Sequence, residues 1–274
     1  MSPASILHYR FPGSRRTLGV RLEAPGLLPL LASFYGNYRC PDPGGRVGCT
    51  ISLEREDGSY RLVGPSGAWE AADEGEAVVY YESELTGALL EDATAFVHLH
   101  GAAVCDGSRC LLLVGPSGAG KSTLTLGLHL GGMRALADDA LLIDPLTGEV
   151  HPFDRSIRVH EVSLRSLEVD PRKVSGARLC GPYLWLSPAK VGRDGAGSQR
   201  PAALVFLEAG QATSLERLSA AEVLRQLLLA RLGDAPERDF ECLARVAAEV
   251  SGYRLAYSDF REALDELARL RESR

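Results

Sequence analysis

The stretch Gly115-Pro116-Ser117-Gly118-Ala119-Gly120-Lys121-Ser122 constrains this chain more than any other. It matches in full the G-x-x-x-x-G-K-[ST] pattern (Walker A) of a phosphate-binding loop, or P-loop. That pattern carries chemistry only between a buried strand and a helix, and both are legible here. The apolar run Cys110 to Val114 reads as the strand, and Thr123 to Leu130 reads as the helix, stopped by Gly131-Gly132. Glycines let successive backbone N–H groups converge on phosphate oxygens at a helix N-terminus. Lys121 then reaches the terminal phosphates, and the Ser122 hydroxyl ligates Mg²⁺. The expected nucleotide contacts are therefore Gly115, Pro116, Ser117, Gly118, Ala119, Gly120, Lys121, Ser122 and Thr123.

Composition removes several classes of partner. The 274 residues are 45% hydrophobic and 24% charged, ordinary for a soluble globular chain with a real core. The net charge is −6 and no block of Lys or Arg stands out, so neither nucleic acid nor an acidic membrane is expected. The first residues lack the apolar run of a signal peptide, and nowhere do 18 apolar residues follow one another. A cytoplasmic protein is the expectation. None of the six cysteines forms a C-x-x-C pair with a matching partner, so no zinc site is expected. Cys105 and Cys110 flank the Asp106-Gly107 turn signal and are placed to face each other across two strands, as buried thiols.

Residues 1–92 have their own texture and read as a small α+β domain that packs on, or presents substrate to, the rest. Leu27 to Phe34 is a short apolar helix candidate. Thr50 to Leu53 and Tyr60 to Val63 are strands joined by the hairpin signature Glu56-Asp57-Gly58, and Cys40 to Gly48 is a loop. Ala77 to Tyr81 reads as a strand and Ser83 to Asp92 as a helix. No cluster in this region suggests chemistry. Residues 93–274 form the second domain. Phe96 to Val104 is expected as one strand, reversed at Asp106-Gly107. Short strands at Arg134 to Ala137 and Ala140 to Ile143 surround Asp138-Asp139, and a turn at Pro145 to Gly148 leads to a strand at Glu149 to Phe153. Ser187 to Arg200 is polar and glycine-rich, a mobile loop. Ala203 to Leu207 is a buried strand. Helices are expected at Ala220 to Arg231, Arg238 to Val250 and Asp259 to Arg271, with a strand at Tyr253 to Tyr257.

The loop alone does not choose among ATPases, GTPases, kinases and regulators. An ABC-type signature is missing, because Leu218-Ser219-Ala220-Ala221-Glu222 lacks the glycines, and no NKxD-type motif for reading a guanine base is present. The surroundings of the loop fit another family. An apolar strand ends in His100-Gly101, a hairpin leads into the loop, and Ala137-Asp138-Asp139 follows the loop helix. His100 lies 21 residues before Lys121, and Asp139 lies 18 after it. These motifs at this spacing resemble the catalytic domain of the HPr kinase/phosphorylase family, which phosphorylates serine on a phosphocarrier protein. The resemblance covers Phe96 to Phe153 well and the strand and helix from Ala203 more loosely. It implies an α/β fold with a compact P-loop kinase domain of the HPr-kinase type, preceded here by the small α+β domain. The chain resembles the stand-alone relatives found beside peptide-modification systems, lasso-peptide kinases among them, more than the full-length enzymes.

Phosphoryl transfer to a hydroxyl needs the phosphates held, their charge neutralised and a base beside the acceptor O–H. Lys121 and the loop amides meet the first need, and Mg²⁺ on Ser122 the second. In phosphate-loop folds the strand after the first helix ends beside the γ-phosphate, so a carboxylate there can take the proton. Asp139 is the expected base, the role the resemblance also implies, and Asp138 orients Mg²⁺; the two roles could be exchanged. Adjacent carboxylates on a strand point to opposite faces, so one shared role is not expected. His100 supports Asp139, with His98, two residues earlier on the same strand, its rival. The glutamate that helps to bind Mg²⁺ in the family has no clear counterpart, Glu161 being the nearest carboxylate. The family's arginine-bearing loop has no clear match either, although Arg193 and Arg200 sit in a suitable flexible loop. The expected activity is an ATP- and Mg²⁺-dependent kinase acting on a serine of a peptide or small protein. A small-molecule hydroxyl kinase and a non-catalytic nucleotide-binding module are the alternatives.

Overall fold

The strand that feeds the loop, Arg109–Val114, lies inside a six-stranded sheet. The computed structural model describes residues 5–41, 47–107, 109–153, 155–187, 197–233 and 236–272. The order across this sheet is Ser214–Arg217, Ser251–Tyr257, Pro201–Ala209, Arg109–Val114, Gly101–Asp106 and Arg134–Ala137. Pro201–Ala209 runs parallel to both Arg109–Val114 and Ser251–Tyr257, as strands covered on both faces usually do. The alternation of side chains divides Arg109–Val114 between two cores. Cys110, Leu112 and Val114 face one, and Leu111 and Leu113 the other. The loop helix Lys121–Leu130 and the last helix, Phe260–Glu272, cover the second face through Leu124, Ala263 and Leu267. The helices Ala220–Leu229 and Pro236–Glu249 cover the first through Val223, Leu227 and Leu243.

Ahead of this layer stands a five-stranded sheet in chain order, Ser5–Tyr9, Thr17–Glu23, Val47–Glu56, Ser59–Gly64 and Gly67–Ala71. The expected hairpin is present, turning at Asp57 (φ 46°) and Gly58 (φ 94°). The apolar stretch from Leu27 contracts to a single turn of helix, Leu28–Leu31. Ala77 to Tyr81, expected as a strand, is helical and belongs to Glu74–Asp92. Val78, Val79, Tyr80 and Tyr81 favour strands in isolation, but context overrides that weak preference. Asp73 caps the helix by accepting from Glu76 N at 2.9 Å. Ala77, Val78, Tyr81, Leu85, Ala88 and Leu89 then fall on one buried helical face. The core on that face runs without interruption from Tyr9, Leu53 and Tyr81 to Val97, Leu141, Phe153 and Trp185.

Phe96 to Val104, expected as one strand, is two. Val97–Leu99 joins a four-stranded sheet with Val150–His151, Leu141–Ile143 and Arg231–Leu232, while Gly101–Asp106 joins the large sheet. The break falls at His100, whose N–H donates to Ala230 O at 2.7 Å. Gly101 permits it, because a Cβ there would lie 2.7 Å from Leu141 Cδ1 and 2.9 Å from Leu113 O. A three-stranded antiparallel sheet of Ile157–His160, Tyr183–Leu186 and Ala177–Cys180 completes the strands. Glu149 to Phe153 shortens to Val150–His151. Cys105 and Cys110 do oppose each other, both buried and free, with their sulfurs 2.7 Å apart. Among the described residues no helix is long and apolar enough to cross a membrane. The fold is mixed α/β.

Candidate active site

The helix begins at Lys121, and its N-cap, Gly120, holds φ 86°. Gly118 holds φ 81°. Both values lie in the left-handed region, which side chains disfavour. At Gly120 there is also no room, because a Cβ would meet Tyr257 Oη at 2.4 Å and Phe260 Cε1 at 2.6 Å. Tyr257, whose ionisation burial pushes up to about 12, keeps its proton and donates it to Ala119 O. The neighbouring strand thus clamps the loop. The Lys121 ammonium folds back over the loop and donates to Gly115 O and Pro116 O, both at 2.9 Å. Burial lowers its pKa, and the nearby Asp138 opposes that shift.

Two chain breaks at one level assemble the rest. His100 sits where the chain passes from the four-stranded sheet to the large one. Asp138-Asp139 sits where it passes back, between Arg134–Ala137 and Leu141–Ile143. Because Leu141 pairs with Leu99, the two breaks are adjacent. Neither aspartate is on a strand, and Asp139 adopts φ 66°, so the expected division between opposite faces does not hold. Both carboxylates line one cleft of about 260 Å³ with His100, Lys121, Ser122 and Thr123.

Asp138 is 2% exposed, and burial pushes its pKa up to about 6 against the pull of Arg155, the Ser122 hydrogen bond and Lys121. Its Oδ1 is buried without a hydrogen-bond partner. A buried carboxylate oxygen left unpaired beside a hydroxyl is a large uncompensated deficit. The pair Ser122 and Asp138 therefore fits a hard cation that takes its remaining ligands from phosphate and water, as Mg²⁺ does. The described residues hold no group of three or more His, Cys, Asp or Glu that could cage a metal alone. Glu161 is not in the cleft. It opens the helix Glu161–Ser166 at the surface, where Arg165 Nη2 donates to it at 2.6 Å.

His100 Nδ1 lies 3.0 Å from Asp139 O and 3.2 Å from Asp139 Oδ1. A carbonyl oxygen only accepts, so Nδ1 carries the proton. Burial, then Lys121 and Arg155, hold the His100 pKa below its ordinary value, so the ring is neutral and Nε2 keeps its lone pair. His98 has no part in this. Its Nε2 pairs with Ala93 O at 2.9 Å and it does not line the cleft.

Nothing in the sequence singles out Arg155, yet it joins the cleft to the N-terminal region. Its Nη2 donates to Glu82 Oε2 at 2.8 Å, its Nε to Glu82 Oε1, and its Nη1 to Asp139 Oδ2. Burial alone would lower its pKa, but Glu82 more than offsets this, and the guanidinium stays charged. No motif announces Arg155, which stands between Asp154 and Ser156. The region expected to be free of chemistry supplies its anchor, Glu82. Arg158, His160, Tyr183 and Phe260 complete the cleft wall. Of the loop expected at Ser187 to Arg200, residues 188–196, with Arg193, lie outside the described residues. Arg200 pairs with Glu149 at 3.6 Å, away from the cleft.

No family model matches the chain, and neither does any curated protein. Among solved structures it is similar to the HPr(Ser) kinase/phosphatase from Coxiella burnetii, at 12% identity and a TM-score of 0.34. That likeness covers 65% of this chain and 99% of the other. At so low a score it carries no functional argument, and the site must speak for itself.

Proposed function

We propose that the protein is a phosphotransferase that moves the γ-phosphate of ATP to a hydroxyl, most simply a serine in a peptide or small protein. One observation carries this reading: the neutral His100, its Nδ1 3.2 Å from the Asp139 carboxylate, stands in the cleft that holds Lys121 and Ser122. A module that only binds nucleotide has no use for a proton acceptor at that place. The acceptor oxygen attacks the γ-phosphorus, the bond from phosphorus to the β,γ-bridging oxygen breaks, and its electron pair leaves on ADP. The acceptor proton passes to the Asp139–His100 pair, a general base of two hydrogen-bonded members. Lys121 and the loop amides hold the phosphates, and Arg155 holds the Asp139 carboxylate in the cleft. Ser122 and Asp138 would hold Mg²⁺, which would neutralise phosphate charge there. Residues 1–92 fit the role of a domain packed on the kinase domain of 93–274, to which they contribute Glu82. Incubation with γ-labelled ATP, Mg²⁺ and a serine-centred peptide library tests the reading, small hydroxyl compounds serving as the competing acceptors. Label on a peptide supports it; hydrolysis alone, with no acceptor labelled, contradicts it.

A further inference from the structure

Behind the phosphate loop lies a second cavity, of about 500 Å³, at the C-terminal ends of the parallel strands Arg109–Val114 and Pro201–Ala209. Ligands of open α/β sheets collect at such strand ends. Val114, Phe206, Leu207, Ala230 and Leu232 make its walls apolar, and Gly115 and Pro116 form its border with the loop. His100 lines this cavity and the phosphate cleft alike.

The loop itself sets which end of a nucleotide points here. Its lysine marks the β- and γ-phosphates, and the Lys121 ammonium lies over Gly115 and Pro116. A γ-phosphate held by Lys121 would therefore sit at the start of the loop, which borders the apolar cavity. A nucleoside would then extend along the cleft away from that cavity, whose wall there includes Tyr183, His160 and Phe260. That would put the cavity on the acceptor's side of the transferring phosphoryl group, with His100 lining both spaces.

Its charges are already spoken for. Arg231 Nε lies 3.0 Å from Asp239 Oδ2, and Glu208 Oε1 lies 3.3 Å from Arg254 Nε. Among the described residues the wall thus offers a ligand apolar surface and no unpaired charge. At the rim, Leu229 is 72% exposed and Leu232 36%, which extends the apolar surface beyond the cavity. Leu232 belongs to Arg231–Leu232, the end strand of its sheet, whose outer edge no strand covers among the described residues. Such an edge accepts an extended peptide.

We propose that this cavity is the acceptor subsite, and that it takes an extended peptide segment whose serine is flanked by apolar side chains. The proposal rests on the phosphotransfer reading and adds the class of substrate. The serine hydroxyl reaches the γ-phosphate past His100, while a neighbouring apolar side chain fills the cavity and another lies on Leu229 and Leu232.

Two fluorescein-labelled nonapeptide pools, each with a central Ser, test this by anisotropy on the full chain. One pool carries Leu, Ile, Val or Phe at the flanking positions, the other Asp or Lys. The apolar pool should bind at least about tenfold tighter, since one buried apolar side chain accounts for that ratio. Leu229→Glu and Leu232→Glu alter exposed positions and should keep the wild-type melting temperature, yet each should weaken the apolar pool about tenfold. Equal binding of the pools, preference for the charged pool, or unchanged binding in both folded variants overturns the subsite. Calorimetry with Mg-ATP on the same sample separates the two readings. Peptide selectivity without Mg-ATP binding overturns phosphotransfer and leaves an apolar peptide site, and Mg-ATP binding without selectivity overturns the subsite alone.

Discussion

Arg155 and Glu82 form a two-point ion pair in the protein interior, Nη2 donating to Oε2 at 2.8 Å and Nε to Oε1, across 73 residues of sequence. The side chains are 8% and 1% exposed. The remaining guanidinium nitrogen, Nη1, holds Asp139 Oδ2, so a helix of the N-terminal region fixes the orientation of a carboxylate in the cleft.

Removing one member of a buried pair leaves the other charge without compensation, which typically costs about 3–5 kcal/mol. Glu82→Ala should lower stability by about that amount in urea unfolding. Glu82→Gln keeps the shape and should be milder, yet still slow phosphoryl transfer by loosening Arg155 and Asp139. A loss below about 1 kcal/mol in Glu82→Ala would show that the pair is not what holds this contact.

Asp138 is stabilised in the opposite sense to an ordinary ion-paired carboxylate. Its pKa rises from 3.8 to about 6 in the folded protein, so the folded state binds the extra proton between those values. That contribution is complete below pH 3.8 and is lost as pH rises through about 6, leaving the metal-free protein about 3 kcal/mol less stable at pH 8. Asp138→Asn cannot titrate. Measured in a chelator, its stability relative to wild type should improve from pH 4.5 to about pH 6.5 and level off above that, while the variant needs more Mg²⁺ for nucleotide binding. A difference independent of pH would mean that the buried carboxyl is not the titrating group.

Lys121→Ala should weaken Mg-ATP binding at least about tenfold, because the charge that pairs with the β- and γ-phosphates is gone. The fold should survive, since the loop remains clamped through Tyr257 and Ala119. Calorimetry reads this directly, and unchanged affinity would remove the loop from the nucleotide site.

The loop, its strand and helix, and the place of His100 and Asp139 were legible because each rests on local pattern: glycines at fixed offsets, an apolar run and a hairpin turn. The helices after Ala203 were legible for the same reason, their apolar residues recurring at helical spacing. What local pattern hides is tertiary. Val78 to Tyr81 favour a strand until the Asp73 cap and a long buried face make them helical. The break at His100 depends on how closely Leu141 and Leu113 approach Gly101. Arg155 has no motif, because its meaning comes from Glu82, 73 residues away. The pair Asp138-Asp139 stands out in the sequence, but its geometry does not, since a left-handed Asp139 brings both carboxylates into one cleft.

The hydrogen bond between His100 and Asp139 implies that the two act as a unit, and groups that do so are not additive when removed. His100→Ala should therefore slow transfer about as much as Asp139→Asn does, with the double variant little worse than either. Transfer by His100→Ala within about threefold of wild type would reduce the histidine to a structural support.

The most direct test of phosphoryl transfer is a single-turnover assay with γ-labelled ATP, Mg²⁺ and the serine-centred peptide library, run on wild type and Asp139→Asn. Asparagine keeps the shape of the side chain and its hydrogen bonding but takes no proton at neutral pH. Wild type should label peptide, and Asp139→Asn should do so about 10²- to 10⁴-fold more slowly while binding Mg-ATP with little change. Labelling by Asp139→Asn at the wild-type rate would contradict the account.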